Sequence, residues 1–280
     1  MRRAVLISMT LIVIAVATLR ATEPDAKELA QRGYSIFKQV IAGDEAKLAD
    51  AIRYMEEAQK ADETYVPNLF NLARAYFFEG ITFNKEDSIA KAEKAFARVV
   101  ELDPTRMDAL SFHGAILAAM SGGTDRAMFM RGAQELKTAM EREPNDLGVR
   151  IVTGFVSMNV PTEVLPMIGN PDMLGNLKTI GNVLDSFSSD FAPHASVVMN
   201  GFIGEAYMKR GDQEKAAESF ARALKVPKPE DPGQRAGRDL LDVAITARMN
   251  GGEKPIFAQP LFSGCHSCHL AAPDKLLKQN

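Results

Sequence analysis

Four small residues, Gly33, Ala73, Gly114 and Gly154, recur at intervals of 40, 41 and 40 along the chain, each inside an apolar stretch with i, i+3, i+4 spacing. About 18 residues after each of the first three comes a second signature: Ala51, Met55, Ala58; then Ala92, Phe96, Val99; then Gly132, Leu136, Ala139. The i, i+4, i+7 spacing puts each trio on one face of a helix. The pattern predicts helix pairs in which a small residue on the first helix lets the second approach closely. Tyr76, Tyr207, Phe96 and Phe220 are expected to fill the space beside it. Pro104 and Pro144 predict the ends of two second helices, because proline lacks the backbone donor. Residues 232–249 predict a last, capping helix with Arg235, Arg238 and Asp239 facing water, ended by Asn250-Gly251-Gly252. Pro and Gly crowd residues 155–195, which reads as an insertion in an ordinary repeat or as a long functional loop.

These residues carry a resemblance. Gly204-Glu205-Ala206-Tyr207, followed by Gly211-Asp212, Ala216, Phe220 and Ala223, resembles a tetratricopeptide repeat, as does Leu72-Ala73-Arg74-Ala75-Tyr76 with Ala92, Phe96 and Pro104. The resemblance extends over roughly residues 30–229 as five helix pairs and implies an all-α solenoid. The family's period is about 34 residues, so intervals near 40 require longer helices or turns, as at Glu79–Asn84. In the family the concave face binds protein partners. Its positions fall here on Phe70, Arg74 and Phe77, on Ile151, Phe155 and Met158, and on Val198, Glu205 and Met208. Either this face receives a hydrophobic peptide, a partner helix or the chain's own cofactor, or longer helices bury it against each other.

The ends of the sequence add chemistry. Met1-Arg2-Arg3 precedes a mostly apolar run from Ala4 to Leu19 with Ala15-Val16-Ala17 as a small-x-small site, which reads as a secretory signal over residues 1–21, cleaved at Ala17 or Ala21. An uncleaved anchor is the rival, but Ser8, Thr10 and Thr18 interrupt the run and about 20 apolar residues are needed to span a bilayer. Either outcome predicts a periplasmic location for the repeat domain, residues 22–249, and for a tail, residues 250–280. That tail holds both cysteines of the chain in Cys265-His266-Ser267-Cys268-His269. Two thiols that add to the haem vinyl groups, with an imidazole immediately after, are the attachment signature of one covalent haem c, with His269 as axial ligand. A redox dithiol lacks a βαβ context, and a zinc site would need ligands from a second segment. His266 reads as incidental.

Residues 270–280 contain neither Met nor His, so the sixth position of the iron is expected open or weakly filled. The attachment motif's position alone resembles that of helical-bundle cytochromes with five-coordinate iron. Upstream candidates are Met158, Met167, Met173, Met208 and Met249, with His113 and His194. His113 stands where a neighbouring repeat has Leu72, which favours a satisfied core histidine over a ligand.

Net charge −3 and a pI near 5.9, without a dense Lys/Arg run, exclude a nucleic-acid footprint. No acid/base pair, phosphate loop or nucleophile arrangement suggests an enzyme, and no small-molecule substrate is indicated. The expectation is therefore an exported mono-haem cytochrome with docking repeats, passing electrons within or between protein complexes, membrane complexes among them. The alternatives are a scaffold or assembly factor whose haem is structural, and a gas-binding or catalytic haem protein with an open iron.

Overall fold

The repeated small residues sit where two helices touch. In a computed structural model, which describes residues 25–41, 44–186, 193–228, 230 and 232–256, the described chain is helical and contains no strand. The helices are α1 (Ala26–Ile41), α2 (Leu48–Ala61), α3 (Val66–Phe83), α4 (Glu86–Leu102), α5 (Met107–Met120), α6 (Arg126–Arg142), α7 (Leu147–Asn159), α8 (Met173–Ser186), α9 (Pro193–Lys209), α10 (Gln213–Lys225) and α11 (Pro232–Met249). They form five antiparallel pairs and a capping helix, an all-α, tetratricopeptide-like solenoid in which each pair packs mainly on its sequence neighbours.

The close approach is measurable. A Cβ on Gly33 would lie 2.7 Å from Met55 Cγ, one on Gly114 would lie 2.7 Å from the Gly132 carbonyl oxygen, and one on Gly204 would fall within the Phe220 ring contact, 2.3 Å from Cε1. Opposite them the trios are fully buried: Ala51, Met55 and Ala58 on α2, Ala92, Phe96 and Val99 on α4, Leu136 and Ala139 on α6. Ala216, Phe220 and Ala223 repeat the arrangement on α10.

Ends recur as faithfully as faces. The residue after α2, α4 and α6, respectively Asp62, Asp103 and Glu143, donates its backbone N–H to Ala58, Val99 and Ala139, the last member of each trio. The Asp62 carboxylate then accepts from Thr64 N and Oγ1, and Asp103 accepts from Thr105 N and Oγ1, so the same local turn closes two successive repeats. Asp125, Asp146 and Asp212 cap the starts of α6, α7 and α10 by accepting from backbone N–H groups of the first turn. The lengthened period is absorbed by helix: Glu79–Phe83 continue α3, which stops at left-handed Asn84, with φ 53°.

The Pro- and Gly-rich stretch after α7 is a connector with one 3-10 turn, Thr162–Val164, followed by a regular second helix. The connector is held from the next pair. Lys209 at the end of α9 donates through Nζ to the carbonyls of Ser157, Met158 and Val160 at 3.1, 3.0 and 2.7 Å, satisfying the end of α7. Burial lowers the pKa of that ammonium. Arg210 reaches Asp172 at 2.8 Å. In keeping with this, α8 packs more extensively on α9 than on its own partner α7.

One expectation about the last helix needs correction. Arg235 and Asp239 are exposed, but Arg238 is 1% exposed and faces the protein. It pairs with Asp242 at 2.6 Å and donates to the carbonyls of Ala223, Leu224 and Pro227, at and just after the end of α10. Packed residues follow α11. Gly251, with φ +87°, and Gly252 close α11 by donating to Arg248 and Ala247, and the packed chain runs on to a fully buried Ile256.

Candidate protein-docking face

The nine positions that the resemblance assigns to a concave face divide sharply. Phe70, Arg74, Met158, Val198 and Glu205 are buried, whereas Phe77, Ile151, Phe155 and Met208 are half-buried. Phe70 and Arg74 are taken up by ring and cation contacts on and around α3. Phe70 meets Phe96 and Phe112 edge-on at 5.8 and 6.3 Å, Phe96 and Phe112 stack at 4.9 Å, and Phe77 lies edge-on to Phe112 at 5.8 Å. The second and third pairs are thus joined by a four-ring cluster. Arg74 lies over the Phe70 ring at 5.6 Å and donates to Asn71 Oδ1 at 3.1 Å, while Arg106 covers the same ring at 4.1 Å.

Glu205 is occupied by the protein itself. Its carboxylate, 2% exposed, accepts from Arg248 Nε at 3.1 and 3.2 Å and from the Ile256 backbone N–H at 2.8 Å. Arg248 also donates to the Gly252 carbonyl at 2.5 Å. Burying a carboxylate without such partners costs several kcal/mol, so Glu205 requires both α11 and the segment after it to be in place. Neither Arg248 nor Ile256 was singled out in the sequence. The available signal was one aliphatic residue behind a proline in the otherwise polar stretch Gly251–Pro255.

His113 on α5 is a satisfied histidine. Nδ1 lies 2.6 Å from Glu135 of α6 and Nε2 lies 3.3 Å from Glu93 of α4. Burial pulls the imidazole pKa down, and the bonds and charges of Glu135 and Glu93 more than offset this, leaving it above the ordinary value. The two carboxylates flank opposite ring nitrogens and do not converge. Among the described residues no group of three His, Cys, Asp or Glu is arranged to hold a metal ion.

Of the candidate sixth ligands, Met158 and Met173 are core residues, Met208 is half-buried, and Met167 and Met249 are exposed. His194 lies in the first turn of α9, and its side chain is outside the described set. Cys265, Cys268, His269 and the whole of residues 1–21 also lie outside the described residues. No helix among the described residues is long and apolar enough to cross a membrane.

Residues 199–228, which run from α9 through α10, match the family model described as a tetratricopeptide repeat. Among curated proteins, no relative matches the chain. The matched pair and the stacked helices around it define a tetratricopeptide-like array, an architecture of protein–protein interaction and scaffolding.

Proposed function

We propose that the protein is an exported docking array that carries one haem c on Cys265 and Cys268, with His269 on the iron, and serves electron transfer within or between protein complexes. The observation that carries this reading is the Cys-x-x-Cys-His spacing made by the only two cysteines in the chain, behind a signal-like N-terminus. The donor set fits the group: two thiols for two thioether bonds and one adjacent imidazole for the iron. Haem c supplies one-electron redox chemistry when bound. The chain's contribution is position. Nine residues lead from buried Ile256 to Cys265, a reach of about 30 Å at most, so the attachment point belongs to the fifth-pair end of the array. Met208 and Met249 are the methionines of that end with a thioether not already in the core. The iron's sixth position is proposed to be open or weakly filled.

Protein made in a host that matures c-type cytochromes should retain haem through acid-acetone extraction, and Cys265→Ala with Cys268→Ala should abolish the colour. A double variant that still holds haem covalently would overturn the assignment. Carbon monoxide added to the reduced protein should shift its Soret band; an unreactive low-spin spectrum would mean a strong sixth ligand. If the haem is structural and the array only a scaffold, reduction by a candidate partner will fail while haem retention succeeds.

A further inference from the structure

The fifth pair holds a short segment of its own chain the way a receptor holds a peptide. After Gly251 and Gly252 turn the backbone away from α11, Pro255 fixes its own φ and biases Lys254 toward extended backbone. Ile256 is then delivered to α9 with its main-chain N–H on Glu205 Oε1, at 2.8 Å, and its side chain fully buried beside Gly201, where a Cβ would stand 3.7 Å from Ile256 Cδ1. These are two elements of peptide recognition, a main-chain hydrogen bond for register and a pocket for one side chain. The acceptor is a carboxylate withdrawn from water, and charge-assisted bonds of this kind are stronger than neutral ones. Val198 and Glu205, which the family resemblance assigns to the partner groove, are on the helix that this segment contacts.

We infer that residues 252–256 are an intramolecular strap seated in a peptide site of the fifth pair. With the strap displaced, the site receives a short partner segment of the same chemistry: an aliphatic side chain directly after proline, with its N–H presented to Glu205. The strap is the template for this ligand, and by occupying the site it lowers the apparent affinity for any competitor by the fraction of time the site is covered. The inference rests on the docking role of the repeats and not on haem.

The test uses full-length protein and a fluorescent synthetic peptide of residues 250–258, NGGEKPIFA, against a scrambled control. Ile256→Gly weakens the strap and should bind the peptide at least tenfold more tightly than wild type. Adding Glu205→Gln to that variant should remove most of the gain. Equal binding by wild type and Ile256→Gly, or binding indifferent to Glu205→Gln, overturns the proposal. Hydrogen exchange on the unsubstituted protein decides independently, including where a variant fails to fold. The Ile256 amide should be protected at least a hundredfold relative to the same amide in the free peptide, and exchange at the free-peptide rate would sink the idea. None of these readouts involves Cys265, Cys268 or His269, so failure here and failure of haem attachment are separate results.

Discussion

Gly204 and Gly201 are three residues apart on one helix and show how finely a single position is set. A side chain at Gly204 would run into the Phe220 ring at 2.3 Å, and Phe220 is itself 1% exposed and has no free side to move toward. Gly204→Ala should therefore destabilise by about 1–3 kcal/mol in chemical denaturation, the usual range for overpacking. At Gly201 the nearest atom stands at 3.7 Å, an ordinary contact, so Gly201→Ala should leave the denaturation midpoint unchanged or slightly raised through better helix propensity. Equal losses at both sites would contradict the packing account. The close-approach role of the small residues was legible in the sequence because it repeats. What the sequence did not disclose was Arg238, because an arginine on an amphipathic helix reads as exposed unless the carbonyls it must satisfy are known. Those carbonyls belong to the end of a different helix.

Arg238 matters at the scale of elements because it is the main polar link between α10 and α11. Removing its guanidinium leaves Asp242 with Lys228 alone, at 3.3 Å, and takes a donor from the carbonyls of Ala223 and Leu224. Arg238→Ala should cost about 1–3 kcal/mol, the range for lost buried hydrogen bonds with one carboxylate partly compensated, and hydrogen exchange should rise first in α11. Arg235→Ala, on the exposed face, should cost under about 1 kcal/mol; a loss matching that at Arg238 would show that α11 is held by something else. The helix pairs themselves followed from period and proline, and the structure returns them with their ends where Pro104 and Pro144 put them. Of the assigned groove positions, Phe70, Arg74, Met158, Val198 and Glu205 are buried within the chain itself. For Phe70 and Arg74 the reason is the 18-residue α3 and the ring cluster it joins, and for Glu205 it is Arg248 and Ile256.

For the whole array, the seam between the second and third pairs is both aromatic and ionic. His113 is faced by Glu93 from α4 and Glu135 from α6, and its raised pKa means that folding favours the protonated ring. That contribution is complete below the ordinary histidine pKa of about 6.5 and is lost as pH rises through the higher folded value. Denaturation midpoints should consequently fall from pH 6 toward alkaline pH in wild type, and the fall should be shallower in His113→Gln. Parallel curves for the two proteins would remove His113 from this role. In a one-dimensional array such a seam is also where cooperativity is weakest once it is loosened, so the alkaline melt should broaden more than the acidic one.

The buried Ile256 gives the array a direction. A tether rooted on a mobile arm sweeps out an ill-defined volume, whereas one rooted on a packed residue has a fixed centre. Whatever residue 265 carries is confined to a sphere of about 30 Å around that centre, so the two ends of the solenoid are not interchangeable to a visiting molecule. The chain is in this sense a ruler with its zero mark at one end, and cross-links from residue 265 should map to α9–α11 well ahead of α1–α4.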